Sequence, residues 1–208
     1  MIGGTAFYID SFFIGLSEIP VVDASVKKQL LVELNEKGLQ RLYEELVKVD
    51  ASFSKKIHHN DKQRILRGLE VFRGTGKPIS SYYNEKSGFE SENTTYIGLY
   101  MDRDILKKRI DLRVDNMIQS GFIDEVVSLR KMGYGHDLKS MQSIGYLELN
   151  CYLDGKLKLE DAIEKIKTET KKYAKRQMTW FKRNKKIQWV ETNNLNEVNN
   201  IVNKFLFT

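Results

Sequence analysis

From residue 24 to about residue 83 the apolar positions recur at three- and four-residue steps: Leu30, Leu31 and Leu34, then Leu39, Leu42, Tyr43 and Leu46. That period puts them on one stripe of a helix, and Gly38 between the two groups predicts a break into two helices. Asn60-Asp61 supplies a cap for a further helix whose Ile65, Leu66, Leu69 and Phe72 face inward, until Gly74, Gly76 and Pro78 stop it. Residues 84 to 93 are polar and read as a loop. The pattern then changes. Thr94 to Met101 is short, β-branched and aromatic, as expected of a buried strand feeding a helix that begins near Asp102 or Asp104. Leu106, Ile110, Val114 and Met117 form that helix's stripe, Gly121 breaks it, and Phe122, Val126, Leu129 and Met132 form another that ends at Gly133. A long helix is expected from about Leu159 to Asn184, with Ile163, Ile166, Thr170 and Tyr173 on one face, then a strand from Ile187 to Val190 and a tail helix.

The opening residues, Met1 to Tyr8, look like the end of a strand running into a glycine turn and a helix, with only two residues before the turn. A strand ordinarily needs about five or six residues. The expectation is therefore a chain that starts inside a larger parent fold.

Composition narrows the possibilities. The 208 residues are 41% hydrophobic, enough for a substantial core, and the formal net charge of +6 favours anionic partners. Cys151 is the single cysteine and the histidines are His58, His59 and His136, so no internal disulfide forms and no zinc-finger spacing exists. None of these residues is read as a metal ligand, and Cys151 is not read as a nucleophile. Apolar runs fall short of about 18 residues and no basic-then-apolar leader opens the chain, which leads to an expected cytoplasmic protein without a membrane partner.

Three stretches carry candidate chemistry. Gln63, Arg64 and Arg67 project from one helix face opposite Ile65, Leu69 and Phe72, and suit phosphate or base recognition; a solvated face with an Arg67–Glu70 pair is the plainer explanation. Arg109 and Arg113 are i,i+4 neighbours on the helix that leaves the Thr94 strand, where ligands bind in open α/β sheets, although Asp111 and Asp115 offer them intrahelical ion pairs. From Lys171 to Lys186 eight cations, Lys171, Lys172, Lys175, Arg176, Lys182, Arg183, Lys185 and Lys186, are interleaved with Tyr173, Trp180 and Phe181, and no acid intervenes. Such a helix neutralises phosphates and offers rings for stacking. Met141 to Tyr146 adds a glycine and a potential stacking ring between helices.

Taken in order, these segments resemble the tRNA dimethylallyltransferase family. The likeness is carried by Gly3-Gly4-Thr5 with Tyr8, Asn60-Asp61 with Gln63 to Arg67 and Leu69-Glu70-Val71, and Asp102-Arg103 with Arg109-Ile110 and Arg113. It continues through Gly121-Phe122 with Glu125-Val126, Ile144-Gly145-Tyr146, and Lys175-Arg176-Gln177 with Thr179-Trp180-Phe181.

The resemblance implies an α/β fold: a P-loop-like parallel-sheet core of the ATP-binding type, incomplete at its N-terminus, with an inserted all-helical domain. The core would comprise residues 1–25 and 92–208, and the insertion 26–91 would embrace the anticodon stem-loop of a tRNA. It also implies transfer of a dimethylallyl group from dimethylallyl diphosphate to the exocyclic amine of the adenosine 3′ of the anticodon, with the base flipped out, Mg²⁺ assisting, and a monomeric enzyme. Position by position, Arg113 matches the arginine that grips the prenyl diphosphate. Thr5 and Lys27 fall at tRNA-contact positions. So do Gln63, Arg64, Ile65, Leu66 and Arg67; Gln142, Ser143, Ile144, Gly145, Tyr146 and Leu147; and Lys175, Arg176, Gln177, Met178, Thr179, Trp180, Phe181 and Lys182. Three positions depart from the pattern: Ala6 replaces a frequent glycine, Leu147 stands where a basic residue is common, and Lys27 occupies a variable site. The family's Gly-x-x-x-x-Gly-Lys-Ser/Thr loop and its Asp-Ser general base do not occur in these 208 residues. The chain on its own is therefore expected to lack turnover, either as part of such an enzyme or as an RNA-binding remnant of one.

Overall fold

The computed structural model describes residues 2–83 and 94–207, and the loop expected over 84–93 lies outside them. The chain divides into two compact units, Phe7–Glu90, and Met1–Ala6 with Ser91–Thr208.

In the first unit the helical period of the sequence becomes α1 (Ala6–Ile14), α2 (Ala24–Val49), α3 (Ala51–Ser54) and α4 (Lys62–Thr75). Gly38 sits at φ 78° and ψ 165°, which breaks α2 where the sequence reading put two helices. Asp61 caps α4 by accepting the Arg64 N–H at 3.1 Å, and left-handed Gly76 closes it. Leu30, Leu42, Leu46, Phe53, Ile65, Leu69, Val71 and Ile79 form one buried cluster. Burying each such side chain is worth roughly 1.5–3 kcal/mol. Polar groups then fix the geometry. Buried Asp50 accepts the Phe53 N–H and the Ser80 N–H, both at 2.9 Å, which ties the start of α3 to the turn after α4. Arg73 of α4 reaches Glu33 on one side of the Gly38 break, at 2.5 Å, and Glu45 on the other, at 2.7 Å. One guanidinium thus sets the angle between the two halves of α2.

The second unit is α/β. Strands β1 (Tyr96–Tyr100) and β2 (Ile187–Glu191) pair in parallel, from Tyr96 opposite Ile187 to Tyr100 opposite Glu191. Gly98 permits their close packing, since a Cβ there would lie 2.6 Å from Ile187 Cγ2 and 2.8 Å from Trp189 Cε3. The connection between the strands carries α5 (Arg103–Gln119), α6 (Phe122–Lys131), α7 (Tyr146–Leu153) and α8 (Leu159–Phe181), and α9 (Leu195–Phe207) follows β2. Asp102 caps α5 by accepting the Asp104 and Ile105 N–H groups. Val114, Phe122, Val126, Met141, Leu149 and Ile166 make the core. Three details differ from the sequence reading. Met132 is 70% exposed, because α6 ends at Lys131 and Gly133, at φ 89°, turns the chain off the stripe. Helix α8 stops at Phe181 rather than near Asn184. Helix α7, at eight residues, is too short for its period to show in the sequence. Among the described residues no helix is long and apolar enough to cross a membrane.

Two outcomes are expected. Gly98→Ala should lower stability by about 1–3 kcal/mol through overpacking between the strands, read as a lower denaturant midpoint at unchanged slope. Hydrogen bonds from Arg73, then from Lys37, hold the Glu33 carboxyl down to about 2 from its ordinary 4.5. With the folded value below the unfolded one, this contribution is present above the unfolded value of 4.5 and is lost as the pH falls toward about 2. Thermal melting of the chain should accordingly decline across that window, and Arg73→Met should both lower the neutral-pH melting temperature and flatten the decline.

Candidate nucleic-acid interface

In the helical unit the first turns of α4 present Gln63, Arg64 and Arg67, which together with Asp61 line an open concavity of about 350 Å³. The guanidiniums are already engaged locally, Arg64 with Asp61 at 2.9 Å and Arg67 with Glu70 at 3.1 Å. These exposed i,i+3 pairs are weak, and a phosphate can replace the carboxylate. Ile65 is fully buried and Leu66 half-buried. The contribution of Ile65 to this stretch is thus to seat the helix, and its side chain offers no surface to RNA. Lys27 is exposed in the first turn of α2.

In the α/β unit, charge is sorted between α5 and α8. Asp111 pairs with Lys171 at 2.5 Å and Asp115 with Lys167 at 2.8 Å. The expected intrahelical pairing of these aspartates with Arg109 and Arg113 does not occur, because the Asp flank of α5 faces α8. Arg109 is left with a 3.8 Å contact to Met101 Sδ. Arg113 is exposed and, among the described residues, has no carboxylate partner. Lys167 is correspondingly raised above its ordinary value, first by Asp115 and then by Glu164.

Among the described residues, the cations of α8 beyond Lys171 make one ion pair with an acid. Lys172 bonds Glu169 at 2.7 Å, while Lys175 and Lys182 are exposed. Arg176 lies over the Tyr173 ring at 5.9 Å and Arg183 over the Trp180 ring at 5.2 Å. Tyr173, Arg176 and Trp180 on α8 and Arg183 in the turn after it therefore alternate ring and guanidinium, and both rings remain more than a third exposed. Gln177 donates to the Gly4 carbonyl at 2.6 Å, which brings the Thr5 segment beside the basic stretch. Thr179 is exposed and hydrogen-bonds the Lys175 carbonyl, whereas Met178 and Phe181 are half-buried.

The segment before α7 offers Gln142, Ser143 and Ile144, all exposed, with Leu147 following. Gly145 takes φ 98° with its N–H on the buried Glu148 carboxylate at 2.8 Å, and a Cβ would meet Phe122 at 2.8 Å. Tyr146 is not a free stacking ring: it packs edge-on against Phe122, and its hydroxyl donates to Glu125. The sequence shows the tyrosine, but its partners come from a helix 21 residues earlier. Asp154 also escaped the sequence reading, although it gathers Arg130 at 2.8 Å, His136 at 3.1 Å and Lys156 at 3.0 Å.

Among the described residues no three His, Cys, Asp or Glu side chains gather to hold a metal.

Comparison with known proteins places these features in a family. The IPP transferase family model matches residues 1–184. A tRNA dimethylallyltransferase of Thermoanaerobacter sp. (strain X514) is 47% identical over 195 residues, covering 91% of this chain and 61% of the relative. A tRNA dimethylallyltransferase 2 of Geotalea daltonii is 41% identical, with 92% and 59% covered. Among solved structures, the full-length tRNA isopentenylpyrophosphate transferase of Bacillus halodurans aligns at TM-score 0.59 and 33% identity, over 96% of this chain and 63% of that one. A eukaryotic dimethylallyltransferase captured acting on tRNA aligns at TM-score 0.72 and 29% identity, over 98% and 56%. The chain thus spans about three fifths of the length of the curated relatives it matches. A family model matched over most of its length, with relatives at this identity, shows that the chain belongs to the IPP transferase family.

Proposed function

We propose that this chain supplies the RNA-holding and diphosphate-gripping share of a tRNA prenyl transfer. In that reaction the C1–O bond of dimethylallyl diphosphate breaks as a bond forms from C1 to the exocyclic amine of the adenosine 3′ of the anticodon. Diphosphate leaves with the electron pair, and the amine gives up a proton to a base. The observation that carries this reading is the sorting of charge across α5 and α8. Asp115 and Asp111 of α5 are taken up by Lys167 and Lys171, while Arg113, Lys175 and Lys182 remain available to anions. A guanidinium with no carboxylate of its own suits multidentate diphosphate binding, and it stabilises the charge that develops on the leaving group. The names of the relatives, tRNA dimethylallyltransferases, support the substrate pair.

We assign RNA contact to Thr5, Lys27, the exposed Gln63 and Arg64 with the half-buried Arg67, the Gln142–Leu147 segment, and the stretch from Lys175 to Lys182. The helical unit is assigned to the stem-loop. Phosphate neutralisation supplies most of the affinity, and the exposed rings of α8 add stacking.

With four to six phosphate contacts, the log of the affinity for an anticodon stem-loop should fall against log salt with a slope of roughly −3 to −4. Replacing Lys175, Arg176 and Lys182 together by Ala should flatten that slope by about two units. Binding at low salt no better than to a neutral control, by a chain folded by circular dichroism, would refute the RNA assignment. Arg113→Ala should weaken dimethylallyl diphosphate binding by about 10- to 100-fold, the loss of a charge-assisted contact. RNA affinity should be nearly unchanged. Calorimetric titration of each ligand separately decides it, and equal losses on both would remove Arg113 from the diphosphate site.

A further inference from the structure

The segment between α6 and α7 carries Gln142, Ser143 and Ile144 but has little apolar anchorage of its own: among residues 132–140 none is fully buried, and Met141 is the first that is. Its order rests on polar tethers. Gln142 donates from Nε2 to the backbone carbonyl of His136 at 2.9 Å, and Ser143 donates from Oγ to the Ser140 carbonyl at 2.6 Å. The His136 side chain in turn reaches Asp154 Oδ2 at 3.1 Å, just past the end of α7. Asp154 is itself held, through Oδ1, by Arg130 of α6 at 2.8 Å, and through Oδ2 by Lys156 at 3.0 Å. A chain of contacts therefore runs from the rigid ends of α6 and α7, through Asp154 and the His136 ring, to the carbonyl that Gln142 grips.

We propose that His136 and Asp154 are positioning residues for RNA binding: their contact orders the Gln142–Ile144 segment, and it does so more strongly when His136 is protonated. This rests on the assignment of that segment to RNA. The charged groups around the imidazole define the balance. Asp154 attracts its charged form, Arg130 and Lys156 compete for the same carboxylate, and Asp137 and Lys139 lie in the same segment. Neutral imidazole makes one hydrogen bond to Asp154, while imidazolium adds the charge. The contact is partly exposed, so its effect is a few-fold and not a complete switch.

The test uses the full 208-residue chain and an anticodon stem-loop RNA at fixed salt, at pH values of about 6 and about 8. Wild type should bind about threefold more tightly at the lower pH. His136→Gln should bind with the weaker affinity at both, and His136→Arg, which keeps a permanent cation, should bind with the stronger affinity at both. His58→Gln/His59→Gln should keep the wild-type ratio. Hydrogen exchange of residues 136–145, compared between proteins at one pH, gives a readout independent of RNA: protection should fall in His136→Gln and return in His136→Arg. Asp154→Asn should resemble His136→Gln in both measurements. If His136→Gln retains both the pH ratio and the segment protection, the positioning role is wrong. If protection behaves as described but wild type does not bind RNA, the positioning of the segment stands and its assignment to RNA fails.

Discussion

Two ion pairs bridge α5 and α8, Asp111 with Lys171 and Asp115 with Lys167, and the character of the whole basic face depends on them. They lie beside the apolar packing of Val114 against Ile166, so the helices are brought together by burial and their rotation is fixed by charge. That rotation has a chemical consequence. It takes up Asp111 and Asp115 of α5 with Lys171 and Lys167 of α8, and among the described residues it leaves Arg113, Lys175 and Lys182 without an ion pair. The pairs are partly exposed, and each contributes little to stability; their importance lies in which cations they leave unoccupied.

The helical unit obeys a similar logic with a different tether. Both sides of the Gly38 break in α2 pack into one apolar cluster, and Arg73 ties them further by bonding a glutamate on each side. The orientation of α2 against α4, and with it the setting of Lys27 relative to the Gln63–Arg67 turn, follows from that guanidinium. Asp50 does comparable service at the next corner, using both carboxylate oxygens on backbone N–H groups. In both units a small number of polar contacts across an apolar core decide the disposition of the anion-binding side chains.

The stretches matched by the family resemblance are not chemically uniform when folded. Within Gln63–Arg67 the exposed residues are polar and Ile65 is core. Within Gln142–Leu147 the glycine and tyrosine shape the backbone and pack on Phe122, while Gln142, Ser143 and Ile144 face outward. Within Lys175–Lys182, Gln177 turns back to the Gly4 carbonyl while Lys175 and Lys182 point to solvent. Each stretch combines residues that hold a surface with residues that offer it.

Local physics was enough to read much of this from the chain alone. Periodicity located α2, α4, α5, α6, α8 and both strands, and the glycines at 38, 76 and 133 and the aspartates at 61 and 102 marked ends, because capping and positive φ involve only neighbours. The colinear motifs carried the family, and the run of cations on α8 carried its charge. Sequence could not show which charges were spent. Asp111 and Lys171 lie 60 positions apart, Glu33 and Arg73 lie 40, and Tyr146 and Glu125 lie 21, and nothing local couples them. Nor could it show α7, whose eight residues are too few to display a period, or the exposure of Met132, which a single turn at Gly133 decided. Pairing of charges across helices depends on how buried stripes rotate against each other, and that is settled only when the helices pack.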